Sequence, residues 1–394
     1  MITFLDEANK IKDELITIRR DLHEHPELGF EEKRTSDKVK RFLAKEGISY
    51  IEVAKTGVCG IIKGEKDDNN RVIGLRADMD ALPIQDKKVC SYSSKVPGKM
   101  HACGHDAHTT ILLGVARILN RNKHLFGGAV KLFFEPAEET IGGAPFMIKE
   151  GVLDNPKVDV IVGLHVTEDL DCGKIRIKGG VVNAASNPYK IRIKGRGGHG
   201  AAPHTTIDPI VIASNVVMGL QTIVSREVAP VNPSVITVGS INGGTAQNVI
   251  PEEVEITGII RTLTKEDRAY VVRRVRELVT GICKGMRAEC DIYIEEGYPC
   301  LYNDDTMVNR VKYVGETLLG KENIMEQKHP SMGVESFAFF AMERSSAFYY
   351  LGTGNKIKKT DMAAHSNLFD IDEDAIPLGV AMQCGIAYDY LTRI

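Results

Sequence analysis

Hydrophobic positions in the first part of the chain alternate between two spacings. Apolar side chains recur at three- and four-residue steps in four segments, which predicts helices over residues 8–22, 35–46, 109–120 and 144–150. Short runs of apolar, often β-branched residues predict strands over residues 58–63, 72–77, 129–134 and 158–165. Strands and helices that alternate in this way are typical of a central, largely parallel sheet with helices on both faces.

The pattern of apolar and polar residues changes near residue 187. Residues 189–194 read YKIRIK, and this alternation of apolar and basic side chains predicts a strand with one solvated face. Helices are then predicted over residues 209–226 and 265–286, and strands over residues 234–241, 253–261 and 289–295. The order β-α-β-β-α-β is that of a ferredoxin-like sandwich.

The pattern of the first part of the chain resumes at the C-terminal side, where helices are predicted over residues 305–319 and 337–342 and a strand over residues 347–351. A chain of 394 residues is also long for a single hydrophobic core. We therefore expect an α/β protein in which a small α+β domain interrupts a larger, mostly parallel-sheet domain. The predicted bounds are 1–186 and 298–394 for the larger domain and 187–297 for the insertion.

Composition excludes several classes of protein. The net charge is −3, from 50 Lys and Arg against 53 Asp and Glu, which favours neither a nucleic-acid nor a membrane partner. Residues 1–20 mix charges at helical spacing, unlike a signal peptide, and no run of about 18 apolar residues predicts a membrane span. Eight cysteines without a secretion signal predict reduced thiols and a cytoplasmic protein.

Residues 100–108, MHACGHDAH, combine three His, one Cys and one Asp in one short segment. Cys103 and His105 are too close in sequence to share a helix face, but they can converge in an irregular turn before the predicted helix. A thiolate and an imidazole are ligands for zinc and other divalent transition metals. The alternative is a helix start with polar caps, and His101 and His108 taken singly fit either interpretation.

Paired carboxylates follow the strand predicted at residues 129–134, in the segment FFEPAEE. Open α/β sheets place their sites at the C-terminal ends of strands. Metal-assisted hydrolysis needs one carboxylate to hold metal and a second, unligated one to take a proton from water. Glu138 and Glu139 can divide these tasks, although a surface loop would also carry them.

Two further histidines, His165 after an apolar strand and His365 in the small-residue stretch AAHSN, are ambiguous when taken alone. Together with Cys103, His105 and Glu139 they make five ligand candidates at strand ends and loops of one α/β layer. The combination predicts a metal centre. A cysteine hydrolase that uses Cys103, and a metallohydrolase scaffold kept only for binding, are the alternatives.

Signatures of other enzymes do not fit. The sequence has no HExxH, no GxSxG and no GxxxxGK[ST] motif. Residues 195–200 match GxGxxG formally, but Pro203 and Pro209 prevent a helix from opening directly after the last glycine. A dinucleotide site is therefore not expected.

Eight segments, in order along the chain, together resemble one family: RRDLHEHPELGFEE (19–32), GLRADMDALP (74–83), MHACGHDAH (100–108), FFEPAEE (133–139), GLH (163–165), GRGGHGAAPH (195–204), QNVIP (247–251) and AAHSNLF (363–369). It is the amidohydrolase branch of the aminoacylase and carboxypeptidase dinuclear metallohydrolases. This branch includes hippurate hydrolases, indole-acetyl-amino-acid hydrolases and N-acetyl-diaminopimelate deacetylases.

The resemblance implies two divalent metal ions per subunit, Zn, Mn, Co or Ni. It implies that the larger domain is catalytic, with Glu138 as the general base that activates water and then protonates the leaving nitrogen. The implied reaction is hydrolysis of the amide bond of an N-acyl-amino acid, and a carboxypeptidase or dipeptidase is the alternative. The implied metal ligands, with the thiolate as a bridge, are Cys103, His105, Glu139, His165 and His365.

For the inserted domain the resemblance implies a lid and a dimerisation surface, in a homodimer or homotetramer. His199 would stabilise the oxyanion in a neighbouring active site. Asn248 and Arg261 would hold the substrate, with the guanidinium bound to its free carboxylate.

The sequence departs from the family in two places. The wider family has His-x-Asp where this chain has Asp78 and Asp80, so both are expected to orient ligands rather than bind metal. The branch usually has Gly-x-Glu-Asp-Phe where this chain has Ser336 in place of Asp, which puts any role of that position in doubt. For the family hallmark HEHPE at residues 23–27 we favour a structural role.

Overall fold

The computed structural model describes residues 4–393 and divides into two compact units. The large unit comprises the chain up to Gly180, Tyr302–Lys328 and the chain from Ser336 onward. The small unit comprises Val181–Leu301 and His329–Glu335. The insertion thus begins six residues earlier and ends four residues later than the bounds drawn from sequence, and the segment 329–335 joins it from outside those bounds.

Ten α-helices lie within residues 4–393. They are α1 (Phe4–Lys10), α2 (Lys12–Glu24), α3 (Lys33–Lys45), α4 (His105–Arg121), α5 (Ala144–Lys149), α6 (Pro209–Thr222), α7 (Lys265–Gly285), α8 (Asp305–Leu319), α9 (Phe337–Glu343) and α10 (Ala375–Thr392).

Sixteen β-strands lie within the same residues. They are β1 (Ser49–Val53), β2 (Gly57–Lys63), β3 (Val72–Asp78), β4 (Ala129–Glu135), β5 (Val160–Asp171), β6 (Ile175–Ile177), β7 (Gly180–Asn183), β8 (Ala185–Lys194), β9 (Gly198–His199), β10 (Ser234–Gly243), β11 (Val249–Ile250), β12 (Glu253–Thr262), β13 (Glu289–Ile294), β14 (Leu301–Asn303), β15 (Ile324–Glu326) and β16 (Ser345–Gly354).

The large unit is built on an eight-stranded sheet in the order β1-β2-β4-β3-β5-β16-β6-β15. Its four central strands, β4, β3, β5 and β16, run parallel to one another. Strands β1, β2 and β6 pair antiparallel with their inner neighbours. The prediction of a largely parallel sheet is therefore confirmed, and the C-terminal ends of the central strands meet at one edge.

Both faces of this sheet are covered by helices, as predicted. Leu132 and Phe134 of β4 point into the main core, which also contains the buried residues of α4 and α10. Phe133, between them, points to the opposite face and stacks on Phe340 of α9, with ring centroids 5.3 Å apart. All seven residues of β4 are buried, as a strand between two helical layers requires.

The small unit contains a four-stranded antiparallel sheet in the order β10-β12-β8-β13. Numbered along the unit, this is the order 2-3-1-4 of a ferredoxin-like sandwich, and the prediction is confirmed. Residues 209–227 are long and apolar enough to cross a membrane by length and composition alone, contrary to the expectation from sequence. However, Ile212, Val216 and Leu220 of this segment pack into the core of the small unit.

Several elements differ from the sequence-based expectation, among them the following. The single helix expected over residues 8–22 is two helices that break at Ile11. The strand expected to end at His165 continues to Asp171, because β16 pairs with it beyond that point. The sequence pattern did not indicate α10, whose residues are apolar all round and almost all buried, so that they have no helical periodicity to detect.

Candidate metal centre

The segment before α4 brings two potential ligands together. Helix α4 begins at His105, four residues earlier than expected, and Gly104 precedes it with a φ of 93°. This left-handed conformation turns the chain sharply, so that the ligand atoms of Cys103 and His105 lie within 4.8 Å of each other. A Cβ atom added at Gly104 would lie 2.2 Å from Cγ2 of Val166.

Gly104→Ala is therefore expected to destabilise the large unit. The left-handed backbone costs a residue with a side chain about 1–2 kcal/mol, and the clash with Val166 adds about 1–3 kcal/mol. Gly98→Ala is the matched control, because Gly98 also has a positive φ of 73° but nothing lies within 4 Å of its added Cβ. Urea unfolding should place Gly104→Ala below Gly98→Ala in unfolding free energy, and equal values would contradict the packing argument.

The turn after β4 positions the paired carboxylates. Ala137 has a φ of 56°, and its N–H donates to Oε1 of the buried Glu32 at 2.8 Å. Glu139 is fixed by its own N–H, which donates to Oδ2 of Asp80 at 3.0 Å. Oε1 of Glu138 accepts from the N–H of Ser336, also at 3.0 Å. The two neighbouring carboxylates are thus held by different partners.

His165 lies on β5 at the level where β3 ends, rather than at the end of its own strand. Its Nδ1 lies 2.6 Å from the carbonyl oxygen of Val166, which places the ring proton on Nδ1. The unprotonated Nε2 lies 3.4 Å from Sγ of Cys103. This tautomer gives the ring a lone pair on the side of the thiol.

The loop that carries His365 is attached to the segment before α4. The N–H of His365, a residue with a φ of 63°, donates to the carbonyl of Ala102 at 2.8 Å. The N–H of Ala364 donates to Oε1 of Glu168 at 3.0 Å. These bonds leave Nε2 of His365 3.3 Å from Oε1 of Glu139.

All five ligands predicted from sequence come together in the large unit. Together with Glu138, they form overlapping groups in which the ligand atoms are at most 4.8 Å apart: Cys103, His105 and His165; Cys103, Glu139 and His365; His105, Glu138 and Glu139. Cys103, His105 and Glu139 each belong to two of these groups. This overlap suits two neighbouring cations.

Two buried atoms test whether a cation fits. Within residues 4–393, Nε2 of His105 and Oε1 of Glu139 are buried and make no well-aligned hydrogen bond. A buried polar atom left without a partner costs about 1–3 kcal/mol. A divalent transition metal would satisfy both atoms, and the N, S and O donor set is one that such metals prefer. The residues of the candidate centre therefore fit a divalent metal ion.

Asp78 and Asp80 orient the histidines around this centre. Oδ1 of Asp80 lies 3.2 Å from Nδ1 of His105, which keeps the proton on Nδ1 and directs Nε2 into the site. Oδ1 of Asp78 accepts from Nδ1 of His108 at 2.6 Å, and Nε2 of His108 accepts from the N–H of Val166 at 2.9 Å. The ligand atoms of Asp78, His105 and His108 also lie within 4.8 Å of one another, but both ring nitrogens of His108 are engaged in hydrogen bonds, which favours a supporting role over metal binding.

Electrostatics separate the remaining candidates. Burial, with a contribution from the Glu139 carboxylate, raises the pKa of the Cys103 thiol well above its usual value. Such a thiol is a poor nucleophile without a cation to remove its proton, which disfavours a cysteine hydrolase.

Burial lowers the pKa of His101 to about 3, and this neutral ring is in none of the ligand groups among the described residues. His23 bonds to Asp106 in a buried pair, at 2.7 Å, consistent with a structural role for the HEHPE motif.

The other predicted site residues lie in the small unit. His199 on β9 pairs with Val249 on β11, and its Nδ1 accepts from the N–H of Ala201 at 3.0 Å. The ring proton is therefore on Nε2. The carbonyl of Asn248 accepts from the N–H of Gly200, the residue after His199, at 2.8 Å. Arg261 lies on β12, where burial lowers its pKa, and within residues 4–393 its Nη1 is buried without a hydrogen-bond partner.

Sequence reasoning did not identify several polar residues that support the site. Arg76 and Glu135 are fully buried inside strands β3 and β4, and Ser336 is fully buried before α9. The sequence does contain a signal for Arg76 and Glu135, because a charged residue inside an otherwise apolar strand has to be paired if the strand is buried on both faces.

A buried thiol, three imidazoles and a carboxylate that converge at the edge of a parallel sheet, with a second carboxylate beside them, define the site of a metal-dependent hydrolase.

The comparisons with known proteins agree with this class. Residues 74–389 match the model of peptidase family M20/M25/M40. The chain is 40% identical over 395 residues to IAA-amino acid hydrolase ILR1-like 4 of Arabidopsis thaliana, covering 99% of this chain and 88% of that protein. It is 38% identical over 364 residues to the N-acetylcysteine deacetylase of Bacillus subtilis, covering 92% and 93%.

A solved structure, described as a dinuclear metal-binding peptidase of the M20 family from Bacillus subtilis, superposes with a TM-score of 0.85 at 34% identity, covering 98% of this chain and 100% of that one. The chain belongs to peptidase family M20/M25/M40. It is a metal-dependent hydrolase, and the resemblance found from sequence is confirmed.

Proposed function

We propose that the protein hydrolyses the amide bond of N-acyl-amino acids. The observation that carries this proposal is the pair Glu138 and Glu139 beside three imidazoles and a thiol: one carboxylate faces the ligand atoms of His365 and Cys103, and the other is held by a separate hydrogen bond. Relatives named for hydrolysis of an amino-acid conjugate and of N-acetylcysteine support the substrate class.

The proposed cofactor is a pair of divalent cations, Zn, Mn, Co or Ni. His165, His365 and Cys103 would help to hold them. When bound, the cations would polarise the amide carbonyl and make water easier to deprotonate. His105 and Glu139 would complete the set, since both have a buried atom that lacks a hydrogen bond within the described residues.

Glu138 is proposed as the general base. It would take a proton from the attacking water while the N–H of Ser336 holds its Oε1 in place. Amide nitrogen is a poor leaving group, so the same carboxyl has to return the proton to that nitrogen before the bond breaks. One residue thus moves one proton between two atoms of the reaction.

The small unit is proposed to supply the remaining contacts. The N–H at Nε2 of His199 is a donor suited to an oxyanion, an interaction that contributes about 3 kcal/mol per donor in comparable sites. The fork of Arg261 suits the free carboxylate of the amino acid, and Asn248 would hold the substrate beside it. A homodimer or homotetramer in which His199 reaches a neighbouring site is part of this proposal.

A substrate panel tests it. Purified protein loaded with each of the four metals is assayed on hippurate, acetyl-diaminopimelate, N-acetylcysteine, other N-acetyl-amino acids and unblocked dipeptides. The expected result is amide hydrolysis of acylated substrates well above that of the dipeptides. Preference for dipeptides would favour the carboxypeptidase or dipeptidase alternative, and no hydrolysis of either kind would reject the proposed reaction.

A further inference from the structure

Arg76 is a fully buried guanidinium next to the candidate metal centre but outside it. Its Nη1 donates to Oδ2 of Asp78 at 2.7 Å, and its Nε donates to Oε2 of Glu135 at 2.6 Å. Its Nη2 donates to the hydroxyl of Ser336 at 2.9 Å. Three acceptors from three chain segments are thus fixed by one rigid planar group.

Ser336 connects this guanidinium to the proposed base. Its hydroxyl donates to Oε1 of Glu135, and that oxygen also accepts from the N–H of Ala144 at 2.7 Å. Its backbone N–H donates to Oε1 of Glu138 at 3.0 Å. The position of residue 336, and with it the N–H that holds Glu138, is therefore set by the hydroxyl through Arg76 and Glu135.

The same network reaches the histidine ligands on its other side. Asp78 accepts from Arg76 through Oδ2 and from His108 through Oδ1. His108 in turn accepts from the N–H of Val166, the neighbour of His165. A continuous series of buried hydrogen bonds therefore joins the strand of one metal ligand to the carboxylate of the base.

Stability alone does not account for this arrangement. Replacing a buried ion pair by apolar side chains of similar volume is often neutral or stabilising, so a core has no general need for it. What a guanidinium with three acceptors supplies is fixed distances and angles. In catalysis that requirement is strict, since a displacement of about 1 Å can cost roughly 100-fold in rate.

We propose that Arg76 and Ser336 are positioning residues that hold Glu138 in its working geometry relative to the metal ligands. The inference rests on the proposed role of Glu138 as general base. Both side chains are fully buried, so the proposed role involves no contact with the substrate. Both act through the hydrogen bond from the N–H of Ser336 to the carboxylate.

Ser336→Ala is the first test, with Ser346→Ala as its matched control. Both hydroxyls are buried in the large unit, but that of Ser346 has no hydrogen-bond partner within the described residues. Ser336→Ala is expected to lower kcat about 10-fold, with KM and metal content per chain unchanged. Ser346→Ala should leave kcat within about twofold of the wild type, and Ser336→Thr, which keeps the hydroxyl, should recover most of the loss.

A double-mutant cycle distinguishes positioning from a merely structural role. Glu138→Asp withdraws the carboxylate from the N–H of residue 336, so adding Ser336→Ala to it should lower kcat less than twofold further. Arg76→Lys keeps the positive charge but loses the planar guanidinium, and should lower kcat at least as much as Ser336→Ala. In the Glu138→Asp background it too should lower kcat less than twofold further.

Two results would overturn the inference: a wild-type kcat in Ser336→Ala, or a full 10-fold loss that persists in the Glu138→Asp background. Failure of the proposed function is separable from this. Wild-type turnover in Glu138→Gln would remove the base itself, whereas an inactive Glu138→Gln beside a fully active Ser336→Ala would refute only the positioning role.

Discussion

Glu138→Gln is expected to lower kcat by roughly 100- to 10,000-fold, the usual contribution of a general acid-base group. The amide is almost isosteric with the carboxylate and can still accept from the N–H of Ser336, but it cannot take a proton from water. Metal content should stay at the wild-type level, because the proposed ligand carboxylate is that of Glu139. Steady-state kinetics on an N-acyl-amino acid and elemental analysis of the same preparation measure both quantities.

Glu46→Gln is a suitable control for this experiment. Glu46 pairs with Arg117 at 2.7 Å, near the far end of α4, about 18 Å along the helix from His105. The control also removes a partly buried charge, but it should leave kcat unchanged. Equal losses in the two variants would attribute the effect of Glu138→Gln to instability, and substantial turnover in Glu138→Gln would refute its assignment as the base.

Dialysis against a strong chelator is expected to reduce hydrolysis to background, and re-addition of Zn, Mn, Co or Ni should restore it. Ions that bind only the folded protein also stabilise it, by about 2.7 kcal/mol when free metal is at 100 times its Kd. The melting temperature should therefore fall on chelation and rise on reloading. Activity and calorimetry on one sample, before and after each step, follow the two effects together.

Cysteine variants sharpen the metal test. Cys103→Ala should lose bound metal and activity together, whereas Cys59→Ala should keep both, because Cys59 is buried on β2 and is in no ligand group among the described residues. Full activity after chelation, combined with inactivity of Cys103→Ala, would indicate the cysteine hydrolase. The high pKa of the buried thiol argues against that outcome.

The candidate ligands could be singled out from sequence because each of them lies in a short, unusual segment. Chemistry alone singled out residues 100–108 and the Glu138–Glu139 pair, and the resemblance added roles to His165 and His365. The structure then brought all of these side chains together. The sequence did not indicate the tautomers of the histidines or their hydrogen-bond partners. Whether His108 is available to bind metal, for example, depends on hydrogen bonds with Asp78 and Val166, which are distant in the chain.

Elements without a regular pattern were the ones that sequence reasoning missed. Helix α10 is buried on nearly every side, so it has no polar face, and periodicity cannot indicate it. Strand β5 continues beyond His165 because its partner β16 continues, which is a property of the pair rather than of either segment. The role of Ser336 depends on a guanidinium 260 positions away in the sequence. Long-range pairing of this kind leaves no local signal.

Helix α4 carries a candidate ligand, His105, at its first residue, and every residue from His105 to Leu119 is buried. The apolar side chains that drive the large unit to collapse therefore lie on the same helix as this imidazole. Packing of these apolar side chains is therefore expected to position the imidazole independently of a bound cation. The identity of the bound metal would then reflect which cation the cell has in supply.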